Sequence, residues 1–219
     1  MKKLIGIIFG TALLFSTSVY SDGVVGLKVG VGDLEATKQA YTAGSNAYAA
    51  ETRSKDHEYA AVFAELNIPT VDGLSLGFEI IPFTATITLD NEKEAHTGAE
   101  ISDYRTLYGQ YMFSMANGGV YVKAGYSMGD IGAVSQTGTS SVATPITTVN
   151  SQSDSLEGPM IGVGFQSSEF GDGFVARAEA TYTEFDDVSV TTTSNGSASV
   201  KKTASAELTT FSVSLAKTF

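Results

Sequence analysis

The side chains best suited to acid–base chemistry in this chain are its two histidines, His57 and His96. Nucleophilic catalysis needs a nucleophile and a base within reach of each other. No serine stands two positions after either histidine, and no neighbouring carboxylates indicate a triad. The sequence therefore predicts that the protein is not an enzyme, and we interpret both histidines as solvated residues at strand or loop ends.

Two acidic stretches offer the oxygen ligands that Ca²⁺ and Mg²⁺ prefer, DNEKEAH at 90–96 and EFDD at 184–187. Neither has the spacing of a calcium-binding loop, so we interpret both as solvated. The GVGD stretch at 30–33 lacks the third glycine and the helix of a nucleotide-binding loop. The chain has no cysteine, which excludes disulfides and thiolate metal sites. We therefore expect no metal and no cofactor.

Most of the chain alternates apolar and polar residues with a period of two, which predicts β-strands. A patch at 34–52 shows weak helical periodicity, but it has no coherent apolar stripe. The alternation also loses phase around Pro82, which cannot donate to a strand ladder, so we expect a β-bulge there. The predicted strands are the eight segments 22–32, 57–67, 74–89, 102–116, 120–134, 156–170, 174–190 and 204–219.

The connections between these strands alternate between long and short along the chain. IPTVDG, NGG and GDG are tight turns, whereas the other connecting segments are longer and polar. A Greek-key sandwich has no reason to alternate in this way, but an up-and-down barrel in a membrane has short turns on one side and long loops on the other. The predicted fold is therefore an all-β, eight-stranded antiparallel up-and-down transmembrane β-barrel.

The two faces of the predicted strands differ in charge. One face is mainly apolar, as in Val25, Leu27, Val29 and Val31 of the first strand. The other face carries nearly every mid-strand charge, because an Arg or Lys facing lipid at mid-depth costs about 2–4 kcal/mol. An eight-stranded barrel is just wide enough for its side chains to fill. The predicted interior charge network consists of Lys28, Glu65, Glu79, Lys123, Arg177 and Glu179.

The cations and anions of this network can pair, whereas unpaired buried charges would leave their desolvation uncompensated. We interpret the network first as a structural device in a polar interior filled by side chains. The alternative is a narrow solute path lined by the same charges. A third possibility, a soluble ligand-binding barrel of the lipocalin type, needs apolar residues inward, which is opposite to the faces assigned here.

The first segment of the chain has the pattern of a secretory signal peptide. Lys2 and Lys3 precede an apolar run that is shorter than the ~20 residues of a membrane-spanning helix. Cleavage before Asp22 gives the predicted division into a signal peptide at 1–21 and a barrel at 22–219. The net charge of −11 argues against nucleic acid as a partner, because such a partner needs a basic face.

The signal segment, the alternating strands and loops, and the closing FSVSLAKTF give residues 22–219 a resemblance to the OmpA/OmpX-like eight-stranded outer-membrane barrels of Gram-negative bacteria. The resemblance implies a monomer in the cell outer membrane, surrounded by its lipids and lipopolysaccharide. It also implies that the barrel-assembly machinery recognises the last strand. The positions of that assembly signal are Phe211, Val213, Leu215 and Phe219.

Membership of such a family does not select one function, since its barrels serve as integrity proteins, adhesins, small channels and a few lipid-modifying enzymes. The long connecting segments suit a surface role, because loops on a rigid scaffold commonly carry function. We expect a role in envelope integrity or in surface interaction through the extracellular loops. The alternative is a small-solute, porin-like channel lined by the interior charges.

Deletion of Phe219 tests the assembly role of the last strand. We expect the deletion to impair membrane assembly in cells more than strand formation in detergent, because a recognition signal is lost while the strand pattern is kept. The amount of barrel in isolated membranes and the circular dichroism of refolded protein measure the two effects. Unchanged assembly in cells would contradict the signal role.

Overall fold

The predicted strands form a closed antiparallel barrel of eight strands. The computed structural model describes residues 23–43, 46–82, 85–90, 96–131, 135–137, 155–192 and 200–219. The barrel strands are β1 (Gly23–Lys38), β2 (Glu51–Asn67), β3 (Leu74–Ile81, continued by Ala85–Asp90), β4 (His96–Met115), β5 (Gly118–Ile131), β6 (Ser155–Ser167), β7 (Phe174–Thr192) and β8 (Val200–Thr218). The predicted fold class is confirmed.

Hydrogen-bonded ladders join each strand to the next one in the chain, and β1 pairs with β8 to close the barrel. The closing ladder runs from Val24 opposite Thr218 to Lys38 opposite Ala204. Phe219 extends the closure, since its amide donates to the carbonyl of Gly23 at 3.0 Å. Closure pairs the backbone groups that would otherwise form exposed sheet edges, as hydrocarbon requires.

The three tight turns predicted from IPTVDG, NGG and GDG are present in the barrel. Residues 68–73, 116–117 and 168–173 form three short turns at one end of the barrel, which we call the short-turn end. Gly73 and Gly173 adopt φ values of 78° and 84° there. A residue with a side chain would be strained at such positive φ values. The opposite end, called the loop end, carries the connections 39–50, 91–95, 132–154 and 193–199, of which 91–95 is no longer than the turn at 68–73.

The strands reach further toward the loop end than the sequence predicts. The predicted strand 22–32 continues to Lys38, where it pairs with Glu51 of β2. The described residues of the patch at 34–52 contain no helix, and two short strands, Tyr41–Ala43 and Asn46–Tyr48, pair with each other beyond the ends of β1 and β2. Backbone hydrogen bonds stabilise these segments. Because their side chains show no hydrophobic alternation, the sequence pattern did not predict them as strands. In the part of the chain that the structure describes, no helix is long and apolar enough to cross a membrane.

The predicted irregularity at Pro82 separates the two parts of β3. Ile81 lies opposite Tyr104 of β4, and Ala85 lies opposite Ile101, so β3 advances one residue more than β4 across this gap. This extra residue is the expected bulge. The side chains of Ile87 and Leu89, which follow the bulge, lie outside the described residues.

The outer face of the barrel carries an apolar band with a sharp upper limit. Large apolar side chains are exposed on it, such as Leu27 at 57%, Leu107 at 59% and Phe211 at 62%. Toward the loop end the same outward positions become charged, and acidic side chains predominate. This ring of charges, called the acidic ring, consists of Asp33, Glu58, Arg105, Asp130, Glu157, Glu184 and Glu207.

Inside the band, aromatic side chains lie over glycines of the neighbouring strand. Phe63, Tyr108 and Tyr121 are the direct cross-strand partners of Gly26, Gly77 and Gly164. A Cβ atom at each of these glycines would overlap the facing ring. The glycines are therefore required for space, because the interior is only as wide as its side chains.

The substitution Gly77→Ala tests this packing. We expect it to lower the free energy of unfolding by about 1–3 kcal/mol, because the added methyl group displaces the Tyr108 ring. Urea titration of the barrel in lipid vesicles, followed by its mobility shift on gels, measures the change. Gly109→Ala is the matched control, since a Cβ there meets only Leu76 at 3.9 Å; an equal effect at both positions would refute the steric explanation.

Candidate functional site

The structure places all six residues of the predicted charge network inside the barrel. Each of them is at most 8% exposed. They come from β1, β2, β3, β5 and β7, because the period-two pattern turns these side chains inward while their neighbours face outward. Burial of six charges is tolerable only when they are paired and hydrogen-bonded.

Four of the charges form one connected group across the barrel, which we call the ionic layer. Lys28 Nζ lies 2.5 Å from Glu79 Oε2 and 2.6 Å from Glu179 Oε1. Lys123 Nζ lies 3.3 Å from Glu79 Oε2 and 3.4 Å from Glu179 Oε1. Both carboxylates are shared between two ammonium groups, so the layer is neutral. Its members come from β1, β3, β5 and β7, as expected when inward residues of alternate strands share a level.

Arg177 and Glu65 form a second ion pair on the short-turn side of the ionic layer. Arg177 Nη1 and Nη2 donate to Glu65 Oε1 and Oε2 at 2.7 and 2.8 Å, which is a bidentate geometry. The Tyr108 hydroxyl donates to Glu65 Oε1 at 2.8 Å. The Tyr121 hydroxyl donates to Glu179 Oε2 at 3.0 Å, and its ring lies 5.6 Å from the Arg177 guanidinium carbon. These tyrosines connect the pair to the ionic layer.

Further groups fill the interior on both sides of the charges. Toward the short-turn end, Val24, Phe63, Val175 and Ala216 form a buried apolar cluster. Toward the loop end, hydroxyl pairs such as Thr106 with Ser127, at 2.9 Å, line the interior. A void of about 30 Å³ beside them is on the scale of one water molecule. This part of the barrel is filled by side chains, as the sequence predicts.

The interior toward the loop end is apolar, which corrects the prediction of a polar interior throughout. Leu156, Phe185 and Leu208 form a buried cluster, with Leu34 and other apolar side chains packed against it. A cavity of about 1040 Å³ extends from these residues to Glu179 of the ionic layer, so the interior is not filled at this level. We call it the apolar chamber. The further residues packed against the cluster are Ile101, Tyr104, Ile131, Val188 and Ala206.

Most of the chamber residues, among them Leu156, Phe185 and Leu208, lie within the predicted strands, toward their loop ends. Leu34 continues the inward positions of Lys28, Gly30 and Gly32, but it lies beyond the predicted end of β1. Leu208 likewise continues the inward positions of β8. The sequence does contain a pattern that indicates the chamber. Outward residues become charged at the same level at which inward residues become apolar.

His57 is not the solvated residue that the sequence predicts. Its half-buried ring packs over Gly32 and lines the chamber, with its centroid 6.3 Å from that of Tyr59. Its Nδ1 atom is buried and has no hydrogen-bond partner. Among the described residues, no carboxylate therefore accepts a hydrogen bond from Nδ1 in the manner of a catalytic triad. The side chain of His96 lies outside the described residues.

The acidic stretches show no metal-binding arrangement where the structure describes them. Within EFDD, Asp186 accepts from the Tyr126 hydroxyl at 3.4 Å and Asp187 accepts from Gln39 Nε2 at 3.1 Å. Among the described residues, no group of three or more His, Asp or Glu side chains is placed to hold a metal ion. Residues 91–95 of DNEKEAH lie outside the described residues.

The residues of the predicted C-terminal signal all face outward from β8 or its end. Phe211, Val213, Leu215 and Phe219 are between 40% and 62% exposed. Lys217 lies at the short-turn end, where its Nζ is 5.2 Å from the Phe174 ring centroid and 6.0 Å from that of Phe219. At this position the ammonium group of Lys217 can extend past the edge of the apolar band into a polar environment.

Comparison with known proteins supports the architecture described above. The chain matches no protein-family model and no curated protein. Outer membrane protein AlkL, solved in lipid bilayers, aligns with a TM-score of 0.51 over 93% of both chains at 13% identity. This is the fold of the outer-membrane β-barrel proteins.

Two further solved structures share it. Neisserial surface protein A aligns with a TM-score of 0.50 at 11% identity, over 89% of this chain and 97% of that one. The outer membrane protease OmpT from Escherichia coli aligns with a TM-score of 0.50 at 8% identity, over 93% and 99%. At these identities the likeness concerns the fold alone.

The substitution Arg177→Met tests the buried ion pair. We expect it to lower the free energy of unfolding by about 3–5 kcal/mol, because Glu65 remains buried without its counter-charge. The double variant Glu65→Gln/Arg177→Met is expected to recover much of this loss, because no unpaired charge is left. Urea titration in lipid vesicles measures both variants.

The pair of Arg53 and Glu51 provides the control for this experiment. Arg53 Nη2 lies 2.6 Å from Glu51 Oε1 at the loop end of β2, outside the apolar band. Hydrogen bonding from Arg53 lowers the pKa of the Glu51 carboxyl. Because this pair is solvated, Arg53→Met should leave stability almost unchanged. A loss equal to that of Arg177→Met would contradict the role assigned to burial.

Proposed function

We propose that this protein is a monomeric barrel of the cell outer membrane with a closed interior, and that it serves envelope integrity or surface interaction through its extracellular end. The observation that carries this proposal is the ionic layer. Its four side chains come from four alternate strands and meet at distances of 2.5 to 3.4 Å. A solute crossing the barrel would have to separate these buried pairs, which is costly.

A second closure supports the same conclusion. The bidentate pair of Arg177 and Glu65 lies below the ionic layer, and the apolar cluster around Phe63 lies below that pair. A channel, the alternative function, needs a polar path through all three levels. The two interior voids described above both lie on the loop side of the Arg177–Glu65 pair.

The proposed surface role draws support from the extended strands. The ladder between β1 and β2 continues to Lys38 opposite Glu51, and that between β7 and β8 continues to Thr192 opposite Val200. Both ladders rise beyond the acidic ring that limits the apolar band. They form a rigid base for the outer connections, and binding loops are typically held on such a base.

The proposed location rests on the apolar band and on the signal segment. Exposed side chains such as Leu27 and Phe211 suit contact with outer-membrane lipids and with the acyl chains of lipopolysaccharide. The predicted signal peptide and the aromatic C-terminus suit export and recognition by the barrel-assembly machinery.

Conductance in planar lipid bilayers tests the closed interior. We expect wild-type protein to show no steady current, because paired charges fill the lumen. The variant Lys28→Ser/Glu79→Ser removes one charge of each sign and leaves Lys123 beside Glu179. Because it shortens two side chains of the ionic layer without unbalancing the charge, it should raise the current.

Heat-modifiable gel migration must first show that both proteins are folded barrels. A steady wild-type current that equals that of the double variant would favour the small-solute channel. A protein that remains in the periplasmic fraction without detergent would overturn the membrane assignment itself.

A further inference from the structure

The two faces of the barrel exchange polarity at the level of the acidic ring. Below it, Val29 and Val31 face outward while Lys28 faces inward. Above it, Asp33 and Glu35 face outward while Leu34 faces inward. The same exchange occurs on β8, where Glu207 is exposed and Leu208 is 7% exposed. The upper barrel therefore has the pattern of a water-soluble barrel, with an apolar interior and a charged surface.

The interior of this upper part is not closely packed. Protein cores leave few voids larger than a water molecule. The apolar chamber measures about 1040 Å³, which is at the upper end of the range of about 300–1,000 Å³ found for small-molecule sites. A cavity of this size with apolar walls suits a bound ligand, because apolar cavities exclude water and bind apolar molecules.

The chamber lining determines the charge of the occupant. Among the described residues that line it, Glu179 supplies an inward-facing charge and no lysine or arginine is present, whereas Glu58 faces outward in the acidic ring. The interior cations Lys28 and Lys123 are already shared between Glu79 and Glu179, and Arg177 is bound to Glu65. An anionic group would find no free cation in the described lining. A cationic group would lose its hydration against the apolar walls without compensation. The lining therefore favours an uncharged molecule.

The shape of the site indicates which end receives the ligand. Glu179, Tyr59 and Ser212 lie at the floor, next to the ionic layer. The walls consist of Leu34, Ile101, Leu156, Phe185 and Leu208, which lie toward the loop end. Since the ionic layer closes the floor, a ligand reaches the walls from the loop end.

We propose that the apolar chamber is a binding site for an uncharged hydrocarbon-bodied molecule, such as a long-chain alcohol or an aryl compound, that enters from the extracellular side. The site is independent of the loops' surface role and of conduction through the barrel. Transfer of the ligand's apolar body from bulk water to the leucine and phenylalanine walls supplies the binding free energy.

Binding of N-phenyl-1-naphthylamine, an uncharged fluorescent dye, tests the site in barrels folded into lipid nanodiscs. We expect a saturable component of one dye per barrel above the linear signal of dye dissolved in lipid. Leu34→Trp should weaken that component at least about tenfold, because the indole ring occupies chamber volume. Leu107→Trp is the matched control, since Leu107 faces lipid and is 59% exposed.

Gel mobility first shows that each variant is folded. Leu34→Asn serves as a second variant if Leu34→Trp fails to fold, because a polar amide in the chamber should also weaken binding. The absence of a saturable component in wild type, or equal binding by wild type and the folded Leu34 variant, would overturn the proposal.

Competition by two amphiphiles of equal chain length tests the charge assignment. Dodecanol should displace the dye at a lower concentration than dodecanoate at neutral pH, because the described lining offers a carboxylate no free cation. Equal displacement, or stronger displacement by dodecanoate, would overturn the assignment of an uncharged ligand.

Discussion

The requirement that buried charges be paired organises the whole barrel. Lys28, Glu79, Lys123 and Glu179 come from alternate strands, and they meet only if those strands hold one register around the closed sheet. A slip of one residue would turn a charge of the layer toward lipid. Closure between β1 and β8 and the pairing of these charges therefore depend on each other. The glycines under Phe63, Tyr108 and Tyr121 serve the same constraint, since they leave room for the rings that bond or surround the ions.

The surrounding solvent explains why this constraint applies to only part of the molecule. In the apolar band the outer face meets hydrocarbon, so polar side chains must lie inside and satisfy one another. Beyond the acidic ring the outer face meets water, and the inner face is free to be apolar. Leu34 and Leu208 lie just past this limit, on the same inward rows as Lys28 and Ser212. One continuous set of strands thus forms a membrane barrel below and a soluble type of barrel above.

The fold and the charge network could be predicted because both follow from local pattern. Alternation in segments such as 74–81, the tight NGG turn and the inward parity of Lys28 and Glu65 are all properties of neighbouring residues. The apolar chamber could not be predicted in the same way, because the ends of β1 and β8 carry no hydrophobic alternation on a lipid face. The position of His57 could not be predicted either, because its surroundings come from several strands.

The sequence by itself determined the number of strands, their order, and which side chains point inward, because a period of two and the lengths of the turns are local features. Only the tertiary structure decided which charges meet and where the interior changes from polar to apolar. Whether Lys28 contacts Glu79, Glu179 or Glu65 depends on the stagger between strands far apart in the chain. The chamber likewise exists only once the barrel closes, because its walls come from β1 and β4 as well as from β6, β7 and β8.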